Sequence, residues 1–170
     1  LYLGKLKGEL SNERYTLLIA ELKKSDNQAI LRQLLEGLGN AGHPKTLQAV
    51  KPFLTHERKF VRAAAFESLR LNYSEAATSL YLDALHNNGH PQYIRTRVLP
   101  LVYHLKMNQA LMRRYADYLH KENKVSTLKN ALRALTQHGD LAQPIIQEFT
   151  SHRSNKVAAF AQELLQEGVQ

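Results

Sequence analysis

His86 and His90 are the two side chains whose spacing comes closest to that of a pair of metal ligands. Two zinc-binding histidines four residues apart must share one face of a helix. The intervening residues 87–89, Asn-Asn-Gly, are typical of a turn, and Asp83 is the nearby carboxylate. We therefore predict no metal site. His90 and His43 each precede a proline, and we interpret both as histidines that bond to the backbone of their own turns.

Groups suited to other chemistry are also poorly placed. The carboxylates are scattered and mostly adjacent to Lys or Arg, so no pair suits acid–base catalysis. No serine lies in a glycine-flanked nucleophile elbow, and the chain has no cysteine. Gly39 and Gly42 lack the spacing and the following Lys of a phosphate-binding loop. We predict a protein that is not an enzyme and has no cofactor and no small-molecule substrate.

Positive charge is the one strong chemical bias of the sequence. The formal net charge is +8, and residues 95–133 alone carry +7. The nine basic side chains of this segment are Arg95, Arg97, Lys106, Arg113, Arg114, Lys121, Lys124, Lys129 and Arg133. They could form a solvated convex face, a weak and non-specific polyanion-binding surface, or a surface for anionic lipid headgroups.

Nucleic-acid binding would be strengthened by aromatic side chains interleaved with the basic ones. Tyr115 and Tyr118 follow Arg114 at a suitable distance, but they share a helix face with Leu119. Core packing explains the two tyrosines more simply. A basic helical module that binds nucleic acid is therefore kept only as the alternative to a scaffold function.

These side chains are predicted to lie on helices throughout. Apolar residues recur at three- and four-residue spacing, as at Tyr15, Leu18 and Leu22, and no segment alternates as a strand would. The run from Gly39 to Pro44 closes one helix with glycine and opens the next with proline. The residues of this structural turn motif are Gly39, Asn40, Gly42, His43 and Pro44, and residues 87–91 repeat its pattern.

Helix boundaries follow from residue type. Glycine is favoured just past a helix end, at Gly139 and Gly168, and Pro100 predicts a kink because it removes a helical hydrogen bond. The predicted helix N-caps are Ser11, Asp26, Ser74 and Asp140.

An aliphatic anchor recurs along the chain at 31, 33, 34 and 29 residues. The anchors are Ile30, Val61, Ile94, Leu128 and Val157. Such a period indicates one helix hairpin per repeat, each burying its apolar face only against its neighbours. We predict an all-α, HEAT-like right-handed superhelix of about five hairpins. Residues 1–170 would form a single domain that belongs to a longer protein.

The sequence from Leu35 to Leu54, which contains the turn motif, resembles the helical domain of the large lipid transfer proteins. This family includes vitellogenin, apolipoprotein B and the microsomal triglyceride transfer protein. Val61–Arg70 resembles the next helix of that family, and the resemblance extends over residues 27–135. Arg97 departs from it by placing a charge where the family has a small, packed residue.

The resemblance implies an exported protein, periplasmic or extracellular, in which helices form an arch around lipid-binding sheets. The lack of cysteine favours a distant, bacterial member. Our functional hypothesis is a scaffold whose concave surface packs on another domain or protein, with lipid contacted through the parent protein. It implies no lipid-contact residue in this chain.

Overall fold

The computed structural model describes residues 2–87 and 90–168, which form α-helices and short 3-10 helices without a strand. Its ten α-helices are α1 (Tyr2–Lys24), α2 (Gln28–Ala41), α3 (Thr46–Val50), α4 (Lys59–Glu67), α5 (Glu75–His86), α6 (Gln92–Val98), α7 (Gln109–Leu119), α8 (Val125–Leu135), α9 (Gln143–Glu148) and α10 (Asn155–Glu167). Segments of 3-10 helix cover Lys51–Thr55, Leu99–His104, Thr136–Leu141 and Phe149–Ser151. The all-α prediction is confirmed for the described residues.

We group the ten helices in chain order into five consecutive pairs, from α1 with α2 to α9 with α10, and each pair contacts the next. Helix α2 contacts α4, α4 contacts α6, and α8 contacts α10, while α5 contacts α7 among the odd-numbered helices. The buried apolar side chains form one cluster that runs from Leu22 in α1 to Leu164 in α10. The stacking of hairpins into a superhelix, with its handedness and curvature, stays a prediction.

The predicted anchors lie on the even-numbered helices. Val61, Ile94, Leu128 and Val157 are fully buried, as predicted. The anchor at Ile30 is wrong, because this side chain is 47% exposed and its neighbour Leu31 is buried instead. Helix α2 is apolar at adjacent positions, so the periodic pattern fits two registers.

The predicted N-caps are correct in one case. The Ser74 side chain accepts a hydrogen bond from the Ala77 amide at the start of α5. For α2 the cap is Asn27 rather than Asp26, because its carboxamide oxygen reaches two amides of the first turn. Ser11 lies inside α1, and Asp140 lies within a 3-10 helix.

Pro100 lies just past a change from α-helix to 3-10 helix, and the predicted kink in the chain direction stays a prediction. Helix α6 ends at Val98, and the chain continues as the 3-10 helix Leu99–His104. Helix α8 makes its main contact with the α5–α6 pair through this 3-10 helix. Gly139, with φ 55° and ψ −135°, separates α8 from α9. The predicted turn at residues 87–91 includes Asn88 and Gly89, which lie outside the described residues. No described helix combines the length and hydrophobicity needed to cross a lipid bilayer.

Candidate functional site

Three arginines of the basic segment are neutralised by carboxylates. Arg97 Nη1 lies 3.1 Å from Glu67 Oε1, and Arg114 Nη2 lies 2.6 Å from Asp83 Oδ1. Arg113 Nη1 lies 2.6 Å from Glu148 Oε1. These bonds join neighbouring helix pairs, so the three arginines serve packing between repeats. Arg97 is exposed and departs from the packed position that the family resemblance implied.

Two further cations of the segment lie over an aromatic ring. Lys129 Nζ is 4.4 Å from the centroid of the Phe160 ring, and the Arg133 guanidinium carbon is 5.0 Å from it. Phe160 belongs to α10 and is buried. The pair therefore attaches α8 to α10 through cation–π contacts. Lys106 is exposed in the loop before α7.

The remaining three cations of the segment line a groove of about 690 Å³ between α6 and α8. They are Arg95 of α6 and Lys121 and Lys124 of the turn before α8. None of the three makes an ion pair within residues 12–87, 90–101 and 105–168, where side chains are described. We call this the Pro100 groove; its apolar lining comes from Leu85, Leu99, Pro100, Ala131 and Ala134.

Glu122 is the acidic side chain among the described residues that line the Pro100 groove. Its Oε1 accepts the amides of Asn123 and Lys124, each at 2.8 Å, and its Oε2 accepts the Tyr118 hydroxyl at 3.3 Å. Burial raises the pKa of Tyr118 to about 12, Glu122 adds to the rise, and Arg95 partly opposes it. The Glu122 carboxylate therefore already accepts hydrogen bonds from neighbouring residues. With three cations and one carboxylate, the groove keeps a net positive charge.

Sequence reasoning missed an apolar surface on the even-numbered helices. Ile30, Phe60 and Tyr93 each precede the buried aliphatic residue of α2, α4 or α6 by one position. Ile30 and Phe60 are 47% and 37% exposed, and Tyr93 is half-buried. The rings of Phe60 and Tyr93 meet edge-on, with centroids 5.3 Å apart. We call these three residues the apolar stripe. The aromatic residues before the anchors Val61 and Ile94 signalled part of it, but Ile30 had itself been taken as an anchor.

Cations surround the apolar stripe. Lys59 Nζ lies 5.0 Å from the Phe60 ring centroid and 6.0 Å from that of Tyr93. The Arg32 guanidinium lies 5.8 Å from Phe60, and that of Arg97 lies 5.4 Å from Tyr93. The stripe thus offers aromatic surface within a basic rim.

The turn motif brings α2 and α4 close together. A Cβ placed on Gly39 would lie 2.8 Å from the Cα of Ser68, which no side chain could tolerate without a shift. Asn40 Oδ1 accepts a hydrogen bond from Arg70 Nη2 of the next pair. Gly42 ends α2 with φ 59°, the left-handed conformation that the turn pattern predicts.

His43 completes this turn. Its Nδ1 accepts the Lys45 amide at 3.1 Å, its Nε2 lies 2.8 Å from Asn12 Oδ1, and its ring stacks on Tyr15 with centroids 4.0 Å apart. Pro44 follows it, just before the start of α3. The motif residues therefore serve packing and turn geometry. His43 bonds to its own turn as predicted.

The profile of one protein family, described as the vitellogenin TPR domain, matches residues 6–133. This match spans about three quarters of the chain. The chain belongs to this family. The resemblance seen in residues 27–135 is thereby confirmed, and the match extends it towards the N-terminus, into α1. No curated protein matches the chain.

The matched family is described as a TPR domain, and the predicted HEAT type of the repeats stays a prediction. The anchor spacing of 29–34 residues fits this description, because TPR units are about 34 residues long and HEAT units about 40 or more. The bacterial origin stays a prediction.

The two histidines first considered as ligands are engaged elsewhere. His86 Nε2 lies 2.8 Å from the Arg114 carbonyl oxygen, and the His90 ring meets Phe66 edge-on. Burial lowers the pKa of His90, and the charges of Arg62 and Arg95 lower it further. No group of three potential metal ligands occurs among the described residues.

Proposed function

We propose that this chain is a non-enzymatic helical-repeat scaffold within a protein related to lipid transfer. In this proposal the surface of the even-numbered helices packs against another domain or protein, and lipid is contacted through that larger assembly. Membership of the vitellogenin TPR family supports the lipid-related setting.

The apolar stripe is the observation that carries the docking part of the proposal. Three successive even-numbered helices, α2, α4 and α6, carry a fully or partly exposed apolar side chain one position ahead of a buried aliphatic residue. Regular spacing across stacked helices gives an extended surface, which suits a flat or curved protein partner better than a small molecule. The aromatic pair Phe60 and Tyr93 is of the type that contributes most at protein interfaces.

The cations around the stripe fit the same role. Cation–π contacts hold Lys59, Arg32 and Arg97 against the aromatic rings of the stripe. These cations therefore form a polar rim around an apolar centre. Arg97 is also paired with Glu67. A partner would cover Phe60 and Tyr93 and leave the rim at the edge of the interface.

Hydroxyl-radical footprinting tests this proposal, with the isolated chain compared with the natural protein purified with its partners bound. We expect Phe60 and Tyr93 to be oxidised readily in the isolated chain and to be protected in the natural protein. Tyr73, which is 51% exposed in the turn before α5, is the matched control and should react equally in both. Equal oxidation of Phe60 and Tyr93 in the two samples would refute docking through the stripe.

A further inference from the structure

We propose that the Pro100 groove binds an acidic segment of another polypeptide. This inference rests on the proposed scaffold function, to which it adds the chemistry of one partner. It concerns a second surface, between α6 and α8, that does not include the apolar stripe.

The groove opens beside Pro100, where the α-helix of the third pair gives way to a 3-10 helix. Proline lacks the amide that an α-helix needs, and its ring crowds the preceding turn. Helix α6 therefore ends at Val98, and α8 approaches this pair mainly through the 3-10 helix that follows. The space that opens is lined by side chains of both pairs.

Uncompensated positive charge is concentrated at this opening. The other cations of the basic segment are held by Glu67, Asp83, Glu148 or the Phe160 ring, except Lys106. Arg95, Lys121 and Lys124 lack an ion pair in the part of the chain whose side chains are described. Carboxylates entering the groove would meet three cations and a single carboxylate that is already hydrogen-bonded.

The lining of the groove favours a polypeptide over a small inorganic anion. The lining combines apolar side chains such as Leu99 and Pro100 with hydrogen-bonding ones such as Gln92, Thr127 and Asn130. The amides and carbonyls of an extended segment could pair with the polar side chains, while its apolar side chains contact the apolar lining. Acidic residues of the same segment would meet the three cations.

Other anionic partners fit the groove less well. Three unpaired cations would neutralise only about three phosphates, which gives nucleic acid little affinity at physiological salt. The ring of Tyr118 is buried and its hydroxyl is bonded to Glu122, so it offers no stacking platform. A lipid bilayer is too broad to enter a recess between two helices.

Fluorescence anisotropy with labelled peptides tests the proposal on the 170-residue chain. The probe is a peptide of about twelve residues, about 40 Å when extended, in which Glu alternates with Ala and Thr. Its counterpart carries Gln in place of Glu. The variant Lys121→Gln/Lys124→Gln removes two groove cations, and Lys51→Gln/Lys106→Gln removes two exposed lysines outside the groove.

We expect the acidic peptide to bind at least about tenfold tighter than its Gln counterpart at about 0.05 M salt. Loss of Lys121 and Lys124 should weaken its binding about fivefold to tenfold, and loss of the control lysines less than about twofold. Circular dichroism should show the same helical content and melting temperature for both double variants. Tighter binding of the acidic peptide that depends on the groove lysines would support the proposal.

Equal weakening by the two double variants would overturn the proposal in favour of diffuse surface charge. Single-stranded DNA and phosphatidylserine vesicles serve as competing probes, and tighter binding of either through Lys121 and Lys124 would overturn the choice of ligand. The scaffold proposal is tested separately by the footprint of Phe60 and Tyr93. A protected stripe without peptide selectivity would reject the groove alone, and peptide selectivity with an unprotected stripe would reject docking through the stripe alone.

Discussion

Substitution of Gly39 by alanine tests whether α2 and α4 pack as closely as the structure indicates. The new Cβ would lie 2.8 Å from Ser68 Cα, whereas carbon atoms in contact are separated by about 3.5–4.0 Å. The backbone of α4 would have to move by several tenths of an ångström or more, because the obstructing atom belongs to the main chain. Arg70, which also borders this site and binds Asn40, would have to move as well.

The magnitude follows from opposing effects. Overpacking a well-filled site costs about 1–3 kcal/mol, and loss of the Arg70 hydrogen bond adds about 1 kcal/mol. Alanine is favoured over glycine inside a helix by about 1 kcal/mol, which offsets part of this cost. We therefore expect Gly39→Ala to lower the free energy of unfolding by about 2 kcal/mol, or the melting temperature by about 4–8 °C.

Gly37→Ala is the matched control within the same helix. A Cβ at Gly37 would meet only the end of the flexible Leu18 side chain, at 3.2 Å, so the helix preference of alanine should prevail. Chemical denaturation followed by circular dichroism should show Gly37→Ala at or above the stability of the wild type. The close approach of α2 and α4 would be refuted if Gly39→Ala were as stable as the wild type. It would also be refuted if Gly37→Ala lowered the free energy of unfolding more than Gly39→Ala does.

Three further substitutions address the core, the turn and an ion pair. Ala64→Leu places a larger side chain in the buried face of α4 and should cost about 1–3 kcal/mol in denaturation; an unchanged midpoint would mean that this face has room. Gly42→Val forces a β-branched residue into φ 59° and should cost at least about 1 kcal/mol, and a variant as stable as the wild type would contradict that backbone conformation. Burial alone would raise the pKa of Glu148, but hydrogen bonds from His120 and Arg113 lower it overall. Its carboxylate therefore stabilises the fold above the unfolded pKa of about 4.3, and this contribution is lost as pH falls through the lower folded pKa. The stability difference between the wild type and Glu148→Gln should accordingly narrow from about pH 6 to about pH 3, and a constant difference would contradict the assignment.

The sequence was sufficient for the parts of the fold that depend on local pattern. Val61, Ile94, Leu128 and Val157 were predicted as buried anchors because each repeats the same helical spacing, and all four are buried. In α2 that spacing fits two registers, because the helix is apolar at both 30 and 31. The choice of Leu31 depends on packing against neighbouring helices, which periodicity does not contain.

The candidate site was predictable only in part, because it depends on distant partners. The charge of residues 95–133 was evident, but the sequence does not show that Arg113 meets Glu148 or that Arg114 meets Asp83. Those contacts leave Arg95, Lys121 and Lys124 as the cations of the groove. The sequence predicts a kink at Pro100, whereas the space that opens beside this residue depends on the positions of both neighbouring helix pairs.

The polar contacts between helix pairs have a consequence for how the length of this chain can change. Asn40 bonds to Arg70, Glu67 to Arg97 and Asn123 to Arg153, and the partners in each case are 30 residues apart. A duplication that adds a whole repeat can preserve such pairs, because donor and acceptor are displaced together. A single-residue insertion inside a helix turns every later side chain of that helix by about 100° and separates the partners. Divergence of this family should therefore proceed by gain or loss of complete repeats and by variation in the connecting loops, with few insertions inside the helices.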